Sequence, residues 1–404
     1  MAALAETLAR WAHSHQPDTD DLALAERSLL DTLAVTLAAR VHEVARLAAP
    51  LPDAARWAAV GHVLDFDDVQ VDANSHVSVV IVPAVLATGG DARAYLAGAG
   101  VMTRLGMLLG WQHYAAGWHA TCTEGAPAAA VAAGVALGLS QERLAVAMAL
   151  AVPAAGGVQA AFGTHGKSLQ VGFAAEAGVR AARLAAAGAT ADPQAVDDWL
   201  RLLSGTDAGA VPFATGAPAV PGGLAVKLHP CCYAMQRPIA ALRELSARAG
   251  GIDPARVARV VVTTPEATMQ PLLHDRPTSG LAGKFSMPYA IATALLDGFP
   301  DFTSFTDAAV NRPEAQRLTG LVEVVRTPGG DDILHGEIAI ALTLDDGTTL
   351  RTSLAEPPGS PRRALTRADL AAKSAVCGPD VPGMLAGITW ASARDLLAEA
   401  LPMA

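Results

Sequence analysis

The chain has 404 residues, of which 51% are hydrophobic and 17% charged, and its formal net charge is -10. Such apolar content excludes disorder, and the length exceeds what one simple core organises, so two domains are expected. The acidic balance, with no basic stretch anywhere, excludes a face that neutralises nucleic-acid phosphates.

In chain order, Met1 to Glu6 lack a basic segment followed by an apolar one, which predicts no secretory leader and a cytoplasmic protein. Asp20 and Asp21 then precede an amphipathic run from Leu22 to Arg40, as acidic residues do at helix starts. Helices are expected onward to about residue 205: Glu124 to Leu139, Glu142 to Val152, Leu169 to Ala187 and Asp192 to Leu203. Ala and Gly dominate the first of these, which allows close helix approach. The uncharged stretch Leu144 to Thr164 has the length of a membrane span. Pro153 and the Gly156-Gly157 pair break it, so it is predicted to be a buried helix followed by a turn. No membrane partner is expected.

Ala208 to Gly223 turns to Gly, Pro and Ala, the composition of a connection. Strands follow at Arg256 to Thr264, Leu321 to Arg326, Glu337 to Leu344 and Thr348 to Leu354, the last two joined as a hairpin through Asp345-Asp346-Gly347. Helices return at Thr366 to Ala372 and Trp390 to Ala400. The predicted fold class is therefore mainly α: an all-helical large domain (1–224 and 357–404) interrupted by a smaller α+β domain (225–356) set as a lid. The four cysteines, Cys122, Cys231, Cys232 and Cys377, are too few for a disulfide framework and are expected as free thiols.

Several polar blocks stand out from this apolar background. They are His62-Val63-Leu64-Asp65-Phe66-Asp67-Asp68 followed by His76; Gly117-Trp118-His119-Ala120-Thr121-Cys122-Thr123-Glu124-Gly125; Gly163 to Gly172; Lys227-Leu228-His229-Pro230-Cys231-Cys232; and Lys284-Phe285-Ser286-Met287-Pro288-Tyr289-Ala290. In content and order they resemble the MmgE/PrpD family, which contains 2-methylcitrate dehydratase, cis-aconitate decarboxylase and iminodisuccinate epimerase. The resemblance implies a homodimer, a cleft between helical domain and lid, and chemistry with no metal and no organic cofactor.

The family's reactions move a proton, or expel a group, at a carbon next to a carboxylate. An imidazole titrating near neutrality serves as acid or base there, and cations stabilise the developing charge. The resemblance places His76 and His119 as the catalytic pair, with Asp65 and Lys167 beside them. Lys227, Tyr289, Gln170 and Cys232 are assigned to substrate binding. Asp65 lies three residues after His62, on one helical face if the segment is helical. Asp67 and Asp68 have a plainer role available, capping the next helix. The trio Asp65, Asp67 and Asp68 raises a divalent-cation site as the lesser alternative.

Departures from the family pattern are Val69, Val71-Asp72, Glu124 and Gln170, the last two where His is common. Cys232 stands where the decarboxylase carries His. The expected activity is a dehydratase-like lyase on a small carboxylic acid. The alternatives are an isomerase or epimerase, a decarboxylase of a related di- or tricarboxylate, and a non-catalytic family member.

Overall fold

The architecture comes from a computed structural model that describes residues 2–204 and 217–403. The Leu4–Ser14 and Thr19–Ala38 helices open the chain. The second starts earlier than its apolar pattern implied because Asp18 caps it, accepting a hydrogen bond from the Asp21 amide. Asp53–Val63, Ser78–Thr88, Ala92–Ala115, Ala120–Ala136, Gln141–Ala151 and His165–Ala186 pack around one another. Their contact faces are built from Ala and Gly. At Gly98 and Gly178 an added Cβ would fall 2.6 Å and 2.4 Å from an alanine methyl of the Ala120–Ala136 helix, so these helices meet nearly backbone to backbone.

The uncharged stretch resolves as expected, with a helix ending at Ala151 and a short 3-10 turn at Val152–Ala154. Among the described residues no helix is long and apolar enough to cross a membrane. The part of the expected connection from residue 208 to 216 lies outside the described residues.

The late strands are β1 (Val257–Pro265), β2 (Val322–Thr327), β3 (Ile338–Leu344) and β4 (Thr349–Leu354). They form one sheet in the order β2-β1-β3-β4, with β1 and β2 parallel and the other pairs antiparallel. In β3, alternation puts Ile338, Ile340 and Leu342 into the core. The β3–β4 turn places positive φ only at Gly347 (85°), so it is not the doubly left-handed tight turn that Asp-Gly suggests. Helices Tyr233–Arg248 and Met287–Asp297 cover the sheet.

Two large buried apolar clusters result. The larger draws on both ends of the chain, from Leu4 to Leu224 and from Cys377 to Leu401. The smaller is built almost wholly from residues between Cys231 and Leu342. Lys373, on the Arg367–Val376 helix, ties the chain's last part to its first: its Nζ donates to the Phe66 carbonyl at 2.8 Å and pairs with Asp31 at 2.7 Å.

Candidate active site

The polar blocks meet where several helix ends point at one another. Helix Asp53–Val63 delivers His62 in its last turn and stops, because Asp65 takes a left-handed backbone conformation (φ 51°). Asp tolerates that conformation better than most residues, and it turns the carboxylate back over the helix end. The helical-face relation expected between His62 and Asp65 therefore does not hold. His76 ends the following loop, immediately before helix Ser78–Thr88. His119 occupies the N-cap position of Ala120–Ala136, and Lys167 lies in the first turn of His165–Ala186.

Asp65 is the hub on one side. Its Oδ1 lies 2.8 Å from Lys227 Nζ, 3.2 Å from Lys167 Nζ and 3.7 Å from His76 Nε2. Lys227 also donates to the Asp65 carbonyl at 2.9 Å. Burial alone would raise the Asp65 pKa, but the two ammonium groups reverse this and hold it far below the usual carboxylate range. Burial would lower Lys227, and Asp65 overcomes that and raises it.

Asp67 is the hub on the other side. One oxygen, Oδ2, lies 2.8 Å from His62 Nδ1 and 3.0 Å from His76 Nδ1. An ionised carboxylate only accepts, so His62 presents Nδ1–H to it and carries its lone pair on Nε2, whereas His76 Nδ1 lies at ion-pair distance without hydrogen-bond geometry. The His62 lone pair is already used, since Lys167 Nζ donates to it at 2.6 Å. The His76 lone pair is not. Burial pushes the His76 pKa down to about 3 against the opposing pull of Asp67, so the ring is neutral over the ordinary range.

The three imidazoles pack as a group, His76 edge-on to His62 with centroids 4.6 Å apart and His119 stacked on His62 at 5.8 Å. His119 is 1% exposed and its Nε2 has no hydrogen-bond partner. Burial first, then the charge of Lys167, holds its pKa well below normal. Phe162 and Phe285 wall the cluster, each ring centroid 5.2 Å from Lys167 Nζ.

A third lysine was missed by the sequence reading. Lys284 is buried, its Nζ donating to the carbonyls of Leu64 (2.9 Å) and Pro230 (2.6 Å), and burial lowers its pKa to about 8. His62 and Asp67 were also passed over as functional residues, although both fell inside the quoted acidic block. Three ammonium groups against two carboxylates leave the cluster one net positive charge.

The remaining candidates divide. Gln170 joins the cluster through His119, which its Nε2 approaches to 2.6 Å. Cys232 is a buried thiol at the N-cap of helix Tyr233–Arg248, pushed up by burial to about 12, and it is within electrostatic reach of Asp65 and Lys227. Tyr289 needs correcting: it lies in the smaller apolar cluster and its hydroxyl donates to the Ser304 carbonyl at 2.5 Å. That bond fixes a strand-proximal helix and uses the proton expected for substrate.

The Asp trio needs correcting too. Asp68 faces away, accepting from the Ser78 amide at 3.1 Å and from the Ser78 hydroxyl, and so caps helix Ser78–Thr88. Asp67 does not cap. An alternative set of possible metal ligands does converge, His62, Asp65, Asp67 and His76. Lys167 and Lys227 already occupy its open side, and two ammonium groups at hydrogen-bond distance oppose a dication.

Glu124, one of the departures from the family pattern, is fully buried with both carboxylate oxygens unpartnered, and burial raises its pKa well above normal. Gly106 makes room for it, since a Cβ there would fall 2.0 Å from Glu124 Oε2. The four cysteines are all buried and free.

Two family models match this chain, the MmgE/PrpD N-terminal domain over residues 48–201 and the MmgE/PrpD C-terminal domain over residues 229–383. The chain belongs to the MmgE/PrpD family. Among curated members of this family, a cis-aconitate decarboxylase of Aspergillus terreus is 25% identical over 335 residues, covering 73% of this chain and 68% of that protein. The Homo sapiens protein of the same name is 28% identical over 275 residues, covering 63% of this chain and 55% of its own length. The Mus musculus protein is 29% identical over 276 residues, covering 63% of this chain and 54% of its own. The family is of dehydratase and decarboxylase type, and these identities do not carry one reaction across to this chain.

Proposed function

We propose that the chain is a cofactor-independent lyase acting on a small carboxylic acid by acid–base chemistry at a carbon next to a carboxylate. The observation that carries this reading is the asymmetry of the two outer histidines. His76 has Nδ1 within 3.0 Å of the Asp67 carboxylate, which favours the ring's proton on that side, and Nε2 beyond hydrogen-bond distance of Asp65 at 3.7 Å, which suits it to be the base. His119 has the Gln170 amide nitrogen 2.6 Å from Nδ1 and an unpartnered buried Nε2, which leaves the ring's proton on Nε2 and makes it the hydrogen-bond donor.

In the proposed reaction, His76 Nε2 takes the proton from the carbon α to a carboxylate. The electrons move into an enediolate, whose negative charge develops beside Lys167, Lys227 and Lys284. His119 Nε2–H hydrogen-bonds the departing hydroxyl, and the proton taken up by His76 passes to that hydroxyl as water leaves, so both imidazoles end neutral. A buried cation is worth far more to such an anion than one in water.

Dehydration leads because one face supplies a lone pair and the other a donor. Decarboxylation is the second reading, favoured by the names of the relatives. It needs a proton delivered to a carbanion rather than one removed, and Cys232, held as a neutral thiol, is a weak donor for it. We further propose that the smaller lobe is a lid. The cavity lined by His62, Asp65, Lys167, Lys284 and Phe285 has only about 10 Å³ of free volume, room for at most one water, so a substrate requires the lobes to part.

The experiment is turnover of a panel of hydroxylated and unsaturated di- and tricarboxylates, followed by product mass. Loss of water from at least one acid is expected. Substituting His76→Asn should cut kcat by on the order of 10²- to 10⁴-fold. Loss of carbon dioxide instead selects the second reading, and turnover unaffected by either His76→Asn or His119→Asn refutes both.

A further inference from the structure

A neutral imidazole offers a donor on one nitrogen and an acceptor on the other, and which is which follows from the partner of the nitrogen that faces the protein. For His119 that nitrogen is Nδ1. Gln170 Nε2 lies 2.6 Å from it and Cys122 Sγ 3.2 Å. The amide's orientation is fixed independently of the histidine. Gln170 Oε1 accepts from the Val158 N–H at 3.2 Å, and Gln170 Nε2 donates to the Val158 carbonyl at 3.3 Å. Turning the amide over would set two donors and two acceptors face to face. Burial raises the Cys122 thiol, so it stays protonated and its S–H is available to the same nitrogen, as a weaker partner than the amide.

The framework around this contact is built for close approach. Residues 117–119 pair with 157–159 as a short antiparallel bridge: the His119 amide donates to Gly157 O at 3.0 Å and the Gln159 amide to Gly117 O at 2.8 Å. Gly157 has φ 118°, and a Cβ on it would fall 2.8 Å from Cys122 Cβ and 3.3 Å from Gln170 Cδ. Only glycine lets the Val158 backbone, the amide and the thiol close on the ring together.

We propose that Gln170 is a positioning residue that locks His119 as the Nε2–H tautomer, with Val158 as the template and Gly157 as the enabling residue. This rests on the reading of His119 as the hydrogen-bond donor of the site. Gln170 acts on the ring rather than on substrate. The lock explains why the buried His119 Nε2 has no protein partner: it is an N–H awaiting an oxygen of the substrate.

The test is nitrogen NMR of the full chain with ¹⁵N-labelled histidine at neutral pH, the His119 signals identified by their loss in His119→Asn. The wild-type spectrum should show protonated Nε2 and bare Nδ1. In Gln170→Glu the carboxylate accepts where the amide donated, so the tautomer should invert. Activity should then fall on the order of 10²- to 10⁴-fold in kcat with KM little changed, the scale at which a histidine held in the wrong tautomer fails. Gln170→Leu, which offers neither donor nor acceptor, should give a mixture.

Wild-type His119 protonated at Nδ1 overturns the lock, and this measurement stands even if the Gln170 variants do not fold. A tautomer unchanged in folded Gln170→Glu overturns it as well. The spectra need no substrate. A protein that turns over no acid but shows the expected tautomers upholds the lock and removes the catalytic reading instead.

Discussion

The base proposed for this site, His76, is set by burial rather than by a raised pKa. With the His76 ring pushed to about 3, its lone pair is available throughout the ordinary pH range, so no acidic loss of activity near the free-histidine value is expected. Lys284 behaves oppositely. Burial brings it to about 8, and above that pH it loses the charge that helps hold a carboxylate. The kcat/KM profile should therefore be flat on the acid side of neutrality and fall through a limb near pH 8. An acid limb centred between pH 6 and 7 with no alkaline limb would contradict both assignments.

The same burial hid half of the site from sequence reading. His62 sits in the last turn of a helix that is buried from Ala54 onward and, apart from Arg56, apolar over that stretch, where a histidine reads as a core residue. Asp67 reads as a cap. Nothing in one sequence tells that a single oxygen of Asp67 will serve two rings.

At the scale of elements, the chemistry depends on where helices stop. Asp68 holds the start of helix Ser78–Thr88, and with it the position of His76. Burial raises its pKa to about 7, and Ser78 Oγ passes the network on to the Tyr95 hydroxyl at 2.7 Å. The folded chain keeps a proton on Asp68 that the unfolded chain releases between pH 3.8 and about 7. That stability is present below the lower value and is lost as pH rises through the upper one. Asp68→Asn should therefore be tolerated, with the drop in thermal midpoint between pH 6 and 8 smaller than in the wild type. A steeper drop in the variant would show that the carboxylate is ionised and required.

Helix and strand positions were legible because their patterns are local. The period of 2 in β3 and the acidic starts of helices needed no tertiary information. Asp65 was not legible as a left-handed turn. Its conformation is imposed by the lysines that grip its carbonyl and carboxylate, one of them 162 residues away.

At the scale of the molecule, two apolar clusters meet over a charged seam. Lys227 and Lys284 belong to the second half of the chain and bond to carbonyls and a carboxylate at 64–65 in the first. These bonds close the cavity to about 10 Å³, and the proposed function requires an acid to exchange them for bonds to itself. A carboxylic acid that fits should raise the thermal midpoint in proportion to ln[ligand], by about 2.7 kcal/mol of stability at a hundredfold excess over Kd. Monocarboxylates that cannot span the lysines should give a smaller shift. Equal shifts from every acid, or from chloride at the same ionic strength, would mark the cluster as a structural ion pair. The mainly α class with one small late sheet was readable from composition and periodicity. Lys167 and Lys227 were assigned to one site through the motifs that hold them, but Lys284 was not, because its block carries no local sign that its ammonium turns back to the Leu64 carbonyl.

Deuterium wash-in at the substrate carbon tests the central claim most directly. A bound acid is incubated in D2O with the wild-type protein and with His76→Asn, and solvent deuterium at the carbon next to the carboxylate is read by proton NMR. Incorporation by the wild type, and its loss in a folded His76→Asn that still gains thermal stability from the same acid, is the predicted result. Deuterium appearing equally with both proteins would contradict the assignment of His76 as the base.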